Sequence, residues 1–188
     1  MSYQSWSVVY GEQPSAAKWN ILGTNDSSFN DGSGLNSGAI RQIVYTETGA
    51  VATGTTGIPP DDTIPQNTEG DQYMSLAITP KDSASTLTID IQGIFAASSA
   101  TSLWGALFQD STASALASSG IEMTEIGRPK ILTLTHTMTA GTTSATTFKF
   151  RVGKSAGDAG TITFNGSGGT RQMGGSFASS IIIREYHA

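Results

Sequence analysis

Val152-Gly153-Lys154-Ser155 ends like a phosphate loop, whose glycine backbone and lysine would cradle a nucleotide. The full pattern needs glycine at position 148, which is Phe148, and a helix after Ser155. Ala156-Gly157-Asp158-Ala159-Gly160 follows instead and reads as a hairpin turn, so Lys154 is expected to be a solvated turn residue. Gly166-Ser167-Gly168-Gly169 and Gly174-Gly175 lie between strand-like runs. A dinucleotide fingerprint would need strand, turn and helix in order. Asp26 to Asp31 with Gly32 has the outline of a calcium loop but lacks alternate-position ligands and a terminal Glu. Asp61-Asp62, two adjacent acids in a proline-rich stretch, would make only a weak cation site.

The acid–base inventory is thin. His136 falls on the apolar side of the Leu132–Met138 alternation, and His187 stands next to the last residue. A single inward histidine reads as a core residue with a hydrogen bond rather than a ligand. Composition leaves a Ser-His-Asp triad open, but no Gly-x-Ser-x-Gly elbow precedes a helix. Glu122 and Glu125 could pair, yet nothing in the sequence fixes their distance. No catalytic, metal or cofactor-binding residue is assigned, and the expectation is a protein that is not an enzyme. Asn25-Asp26-Ser27 and Asn165-Gly166-Ser167 match the glycosylation pattern, which matters only in a eukaryotic secretory setting. Tyr73, Trp104, Arg171 and Gln172 are residue types that bind sugars or protein surfaces by ring stacking and bidentate hydrogen bonds. Tyr73, Arg171 and Gln172 are the candidate receptor-binding residues, although each alone also suits ordinary loop or packing duty.

Composition narrows the partners. The 188 residues carry a net charge of −5, and only 13% are charged against a usual figure of about 25%. An acidic surface repels phosphates, so nucleic acid is not an expected partner. With no cysteine, disulfides, thiolate zinc sites and cysteine nucleophiles are all excluded. The start, Met1-Ser2-Tyr3-Gln4-Ser5-Trp6, has no basic and apolar leader pattern, and no apolar run approaches a membrane span, so neither secretion by the general route nor membrane insertion is expected.

The elements that must position any site read as strands. From about Ile40 to Tyr186, short runs alternate Val, Ile, Leu or aromatic residues with Ser and Thr, and Gly, Asn, Asp or Pro closes each run. Strands are expected around Ile43-Val44-Tyr45, Met74–Ile78, Leu87–Phe95, Leu103–Phe108, Leu132–Met138, Phe148–Val152, Ile162–Phe164 and Ile181-Ile182-Ile183, with an extra piece near Ile121–Met123. About eight strands without a long helical pattern predict an all-β, antiparallel, jelly-roll-like sandwich. Thr53 to Gly70, with three prolines, reads as loop or edge.

The first 38 residues differ. Trp6-Ser7-Val8-Val9-Tyr10 suits a short strand, and a helix can begin at Pro14, whose missing N–H does no harm there. Trp19, Leu22, Asp26 and Phe29 share one helical face. Asp31 to Gly38 has linker composition, which divides the chain into a segment at 1–38 and a head at 39–188. In the head, Leu103–Phe108 is apolar on both faces. With Leu103 and Leu107 in the core, Trp104 and Phe108 face outward, and either a second copy or a loop must cover them.

Two stretches resemble a known class. Trp6-Ser7-Val8-Val9-Tyr10-Gly11-Glu12-Gln13-Pro14-Ser15-Ala16-Ala17-Lys18-Trp19-Asn20-Ile21-Leu22-Gly23-Thr24-Asn25 is similar to the N-terminal segment of small tailed-bacteriophage structural proteins of the tail-fibre type. Residues 139–153, then Thr163-Phe164-Asn165-Gly166 and Ala178-Ser179-Ser180-Ile181-Ile182-Ile183, resemble the C-terminal β-sandwich of that class. The resemblance implies a homotrimeric fibre or spike part on the virion surface, assembled in the bacterial cytoplasm. It implies that Trp6, Tyr10, Trp19, Leu22 and Phe29 serve attachment to other virion proteins or oligomerisation. Trp104 and Phe108 would then sit at a subunit interface. The head would meet a host-surface glycan or protein. With no repeat shaft, a tip, a collar or head fibre and a capsid decoration all fit. A purely structural decoration and a free carbohydrate-binding module remain as alternatives.

Overall fold

The computed structural model describes residue 13, residues 15–22 and residues 36–188. Residues 16–22 form a short helix whose first turn is capped by Ser15, which accepts the Lys18 N–H through its hydroxyl at 3.3 Å. Trp19 on this helix is 60% exposed, and Leu22 is exposed as well. Trp6, Tyr10 and Phe29, the other expected attachment residues, lie outside the described residues.

Eight strands of seven residues or more carry the head. They are β1 (Ile40–Thr48), β4 (Asp71–Ile78), β5 (Thr86–Ala97), β6 (Thr101–Gln109), β7 (Ala117–Met123), β8 (Lys130–Thr139), β9 (Thr146–Ser155) and β13 (Ser179–Tyr186). The short pieces are β2 (Ala52–Gly54), β3 (Gly57–Ile58), β10 (Ile162–Phe164), β11 (Gly166–Ser167) and β12 (Thr170–Arg171). Among the eight, the first pairs with the last, the second with the seventh, the third with the sixth and the fourth with the fifth, all antiparallel. That nesting is a long hairpin rolled into two sheets, the jelly roll. One sheet runs β1-β13-β5-β8 and the other β4-β9-β6-β7, with β10 and β2 extending the first and β3 the second.

Period-two alternation makes this possible. On β5, Leu87, Ile89 and Ile91 are buried while Thr88, Asp90 and Gln92 face outward. Leu103, Leu107, Leu132, Phe148, Phe150, Ile181 and Ile183 complete one continuous core between the sheets. Gly105 supports the packing by absence, since a Cβ there would meet Leu132 and the Phe150 ring at 2.7–2.9 Å. Tyr73, expected to meet a receptor, packs in this core instead. Its ring lies 5.1 Å from Phe95 in T-shaped contact and 5.2 Å from Phe164. The reason is position: a bulge between Gln72 and Met74 shifts the alternation and turns Tyr73 inward beside Met74.

Two buried polar clusters tie the roll together. At the end where the head begins and finishes, Glu185 is 0% exposed. Its carboxylate accepts the backbone N–H of Lys81 at 2.8 Å, that of Asp82 at 3.2 Å and the Gln42 amide at 2.5 Å. Gln42 also donates to the Thr79 carbonyl at 2.8 Å, so β1, β13 and the turn after β4 are joined. At the opposite end, Asn165 takes a positive φ of 54° and donates to the carbonyls of Thr48 and Ala50 at 2.7 and 3.1 Å. Its oxygen accepts the Ser179 hydroxyl at 2.6 Å. With its amide buried and doubly committed, Asn165 does not serve as a glycosylation acceptor in the folded chain.

Candidate functional site

The site begins with an apolar strand face that needs a cover. On β6, Trp104, Ala106 and Phe108 point away from the main core, as the alternation requires. The chain covers Ala106 and Phe108 itself. After Ile58 at the end of β3, residues 59–66 cross the outer face of this sheet. Ile58, Ala106 and Phe108 form a second small core, with Trp104 and Ala115 against it. Phe108 is 1% exposed, so it is not available to a second copy, and the expected subunit interface is corrected at Phe108, whereas Trp104 is only half-buried. Of the two covers expected, a second copy or a loop, the loop is the one that meets Phe108.

Pro59, Pro60 and Pro65 suit that crossing because they bring no N–H to strand over an apolar surface. The loop is pinned on both sides. The Ala115 N–H donates to the Pro65 carbonyl at 2.9 Å, and the Asn67 N–H to the Ala113 carbonyl at 2.8 Å. Arg151 donates to the carbonyls of Glu69 and Gly70 at 2.8 and 2.6 Å.

A cleft remains beside this bridge. One lobe, of about 250 Å³, is lined by Ile58, Pro59, Pro60 and Trp104. A second, of about 370 Å³, adds Asp62, Ile64 and residues 115–117. Asp61, Thr63, Pro65 and Ser118 line both. The indole is fixed at two points. Its Nε1 donates to the Ser155 hydroxyl at 3.0 Å. Its benzo ring occupies the space a Cβ on the cross-strand Gly120 would need, 2.5 Å from Cε3 and Cζ3. Asp61 is fixed too. Its Oδ1 accepts the Thr63 hydroxyl at 2.5 Å and the Thr63 N–H at 2.9 Å. Those bonds, the hydroxyl's first, hold its carboxyl below the usual carboxylate range. Oδ2 has no protein hydrogen bond among the described residues. A rigid aromatic ring beside an ionised carboxylate and two hydroxyls can stack on a sugar ring and accept from its hydroxyls.

The cleft also has a definite place. The N–H of Gly38 meets the carbonyl of His187 at 2.8 Å, so the segment preceding the head enters beside the last strand. Ile78, two residues before the turn that binds Glu185, pairs with Thr146 on β9. Trp104 pairs with Gly153 on the same strand. Seven residues of strand separate the two levels, about 23 Å. Ala117, which lines the larger lobe, pairs with Leu107 at the level of Phe150, four residues from Thr146, so the cleft runs along the outer face of the sheet with Trp104 at the end away from the chain entry.

The other expected residues do not gather there. Arg171 is exposed and Gln172 half-buried, on the small β11–β12 hairpin and the turn after it. Glu122 and Glu125 are exposed and line neither lobe. His136 is half-buried, and burial pushes its imidazole below the ordinary range. Among the described residues, no group of three or more His, Asp or Glu could hold a metal ion. No described helix is long and apolar enough to cross a membrane. Sequence reading named Trp104, and Asp61 only as part of a weak cation site, but placed Pro59, Pro60, Thr63 and Ser118 in no site. The Pro-Pro-Asp-Asp string and the glycine opposite Trp104 were the available signals.

No protein-family model matches the chain, and no curated protein matches it. Solved structures with similar folds include the C-terminal domain of EclA, a sugar-binding protein, at 14% identity and TM-score 0.37, over 61% of this chain and 73% of that one. Infectious bursal disease virus, Gx strain, matches at 14% and 0.41, over 79% of this chain, which spans 33% of the viral chain. The CBM22-1 xylan-binding domain from Paenibacillus barcinonensis Xyn10C matches at 13% and 0.34, over 81% and 98%. Likeness this distant carries no functional weight, and the strand pairings alone define this chain as a jelly-roll β-sandwich.

Proposed function

We propose that this chain is a non-enzymatic head on the surface of a phage virion, where it binds a host-surface glycan in the Trp104 cleft. The observation that carries the reading is the cleft itself: an immobilised indole beside an ionised carboxylate on the outer face of the sheet, with the indole toward the end away from the chain entry. A module held by residues 1–38 would present that end outward. The resemblance of the two ends of the sequence to tail-fibre proteins supports the virion setting, whether fibre, spike, collar or head fibre. Self-association of heads, a trimer by that resemblance, would raise avidity without a strong single site.

The test is direct binding of labelled protein to a glycan array and to intact bacterial envelopes. Binding that Trp104→Ala abolishes supports the reading. Absence of glycan binding, with unchanged envelope adsorption by the variant, sinks it. Light scattering on the eluting protein tests self-association; a monomer at micromolar concentration removes the trimer from the proposal. Ile40, Ile43 and Tyr45 on the edge strand β1 are exposed, Tyr45 at 74%, and favour a second reading as a shell decoration packed against neighbours. Particles lacking the protein would then keep adsorption and lose stability.

A further inference from the structure

The lining of the cleft has one sign of charge. Asp61 and Asp62 stand on its rim, and no Lys or Arg lines either lobe. The cations of the nearby strand are engaged elsewhere: Arg151 on the carbonyls of Glu69 and Gly70, Lys154 on the carbonyl of Asp158 and Lys149 on that of Asp110. Asp61 keeps one oxygen free while Thr63 holds the other, so the free oxygen has a fixed position on a rigid turn. Asp62 has no hydrogen bond among the described residues. Trp104 adds an indole, the ring that attracts a cation best. A sugar carrying a carboxylate would meet two like charges without a compensating donor. A sugar carrying an ammonium would meet a carboxylate and an aromatic ring together.

The geometry points to a sugar with a free, protonated amine, a non-acetylated hexosamine, as the ligand class of this cleft. The inference rests on the glycan-binding reading above and adds the charge of the ligand to it. The amine would donate to the free oxygen of Asp61, and the apolar face of the ring would lie against Trp104.

Three tetrasaccharides separate the classes: glucosamine tetramer, its N-acetylated counterpart of the same skeleton, and a galacturonate tetramer. Titration calorimetry at about pH 6 keeps the amine protonated, below the ordinary amine range. The amine tetramer is expected to bind at least about tenfold tighter than the acetylated one, with the uronate weakest. Asp61→Asn with Asp62→Asn, both at exposed positions, should shrink that preference to within about threefold, and salt near 0.5 M should do the same. Equal or tighter binding of the acetylated tetramer overturns the inference, as does a preference that survives the double variant or a uronate that binds best. Trp104-dependent binding of neutral sugar without charge preference removes only the amine class. Binding that ignores Trp104→Phe, in a variant whose melting confirms folding, removes the cleft reading with it.

Discussion

Gly120→Ala tests whether the indole is held as described. A glycine inside a strand ordinarily gains from alanine. The φ of Gly120 is not positive, so alanine's narrower unfolded ensemble should add about 0.4–1 kcal/mol. Here the new Cβ would lie 2.5 Å from Cε3 and Cζ3 of Trp104, which no relaxed structure permits. The ring must swing. Swinging breaks its hydrogen bond to Ser155, a loss of about 1 kcal/mol. Displaced packing adds about 1 kcal/mol, the low end for overpacking because the site opens to solvent on one side. The net effect is a destabilisation of about 1 kcal/mol, a fall in Tm of about 2–4 °C for a chain of this size. The sign is the informative part, since propensity alone predicts the reverse. In a Trp104→Ala background the clash is gone, and Gly120→Ala should become neutral or stabilising. The double-mutant cycle should then report a coupling of about 2 kcal/mol. Urea unfolding of the four proteins measures it. A cost that is the same in both backgrounds, or a rise in Tm with Trp104 present, refutes the fixed indole and weakens the cleft built on it.

Tyr73→Phe should raise stability by about 1 kcal/mol, because the buried hydroxyl has no hydrogen-bond partner and burial with the Asp71 charge nearby pushes its phenol up; unchanged glycan binding would accompany it, and a loss of binding would restore the receptor role. Glu185→Ala should cost about 3 kcal/mol in urea unfolding by orphaning the N–H groups of Lys81 and Asp82 and the Gln42 amide, with Glu185→Gln costing less because one acceptor survives. His136 gives a pH signature: its folded value lies below the ordinary 6.5, so the unfolded chain binds more protons just below that pH. Its contribution is complete above the unfolded value and is lost as pH falls through it towards the folded one. His136→Gln should therefore flatten the difference in stability between pH 7.5 and pH 5 relative to the parent, and an unchanged slope would show that burial does not act on this ring.

The strands were legible because both sheets present one face to the core, and half-burial writes itself as alternation. Leu87, Ile89 and Ile91 against Thr88, Asp90 and Gln92 could have only one orientation. The apolar outer face of β6 was legible for the same reason, as was the need to cover it. What covers it was not. The bridge at residues 59–66 is held by partners near positions 113–115 and by Arg151, contacts that span tens of residues and leave no local period. Tyr73 misled because one bulge between Gln72 and Met74 reverses which side the aromatic ring takes. Glu185 was not legible as a structural residue. Its burial depends on backbone N–H groups a hundred residues away, and no pattern within β13 announces them.

The roll separates two duties, one at an end and one on an outer face. Rolling a long hairpin brings the first and last strands together, so the chain enters and leaves at the same end. That end must be closed tightly, and the Glu185 cluster closes it with charge-assisted bonds to backbone that carry no sequence-specific side-chain partner except Gln42. The outer face of the β6 sheet has a different problem, an apolar strand face without a second sheet to meet. A proline-rich bridge solves it for Ala106 and Phe108 but stops short of sealing Trp104. Sealing the indole completely would require more chain across β6, and the hydrogen bond to Ser155 fixes the ring in the opening instead. A side chain this large, left partly open yet held rigid, has already lost the freedom that binding would otherwise remove, so a ligand that stacks on it gains contact at little further entropic cost.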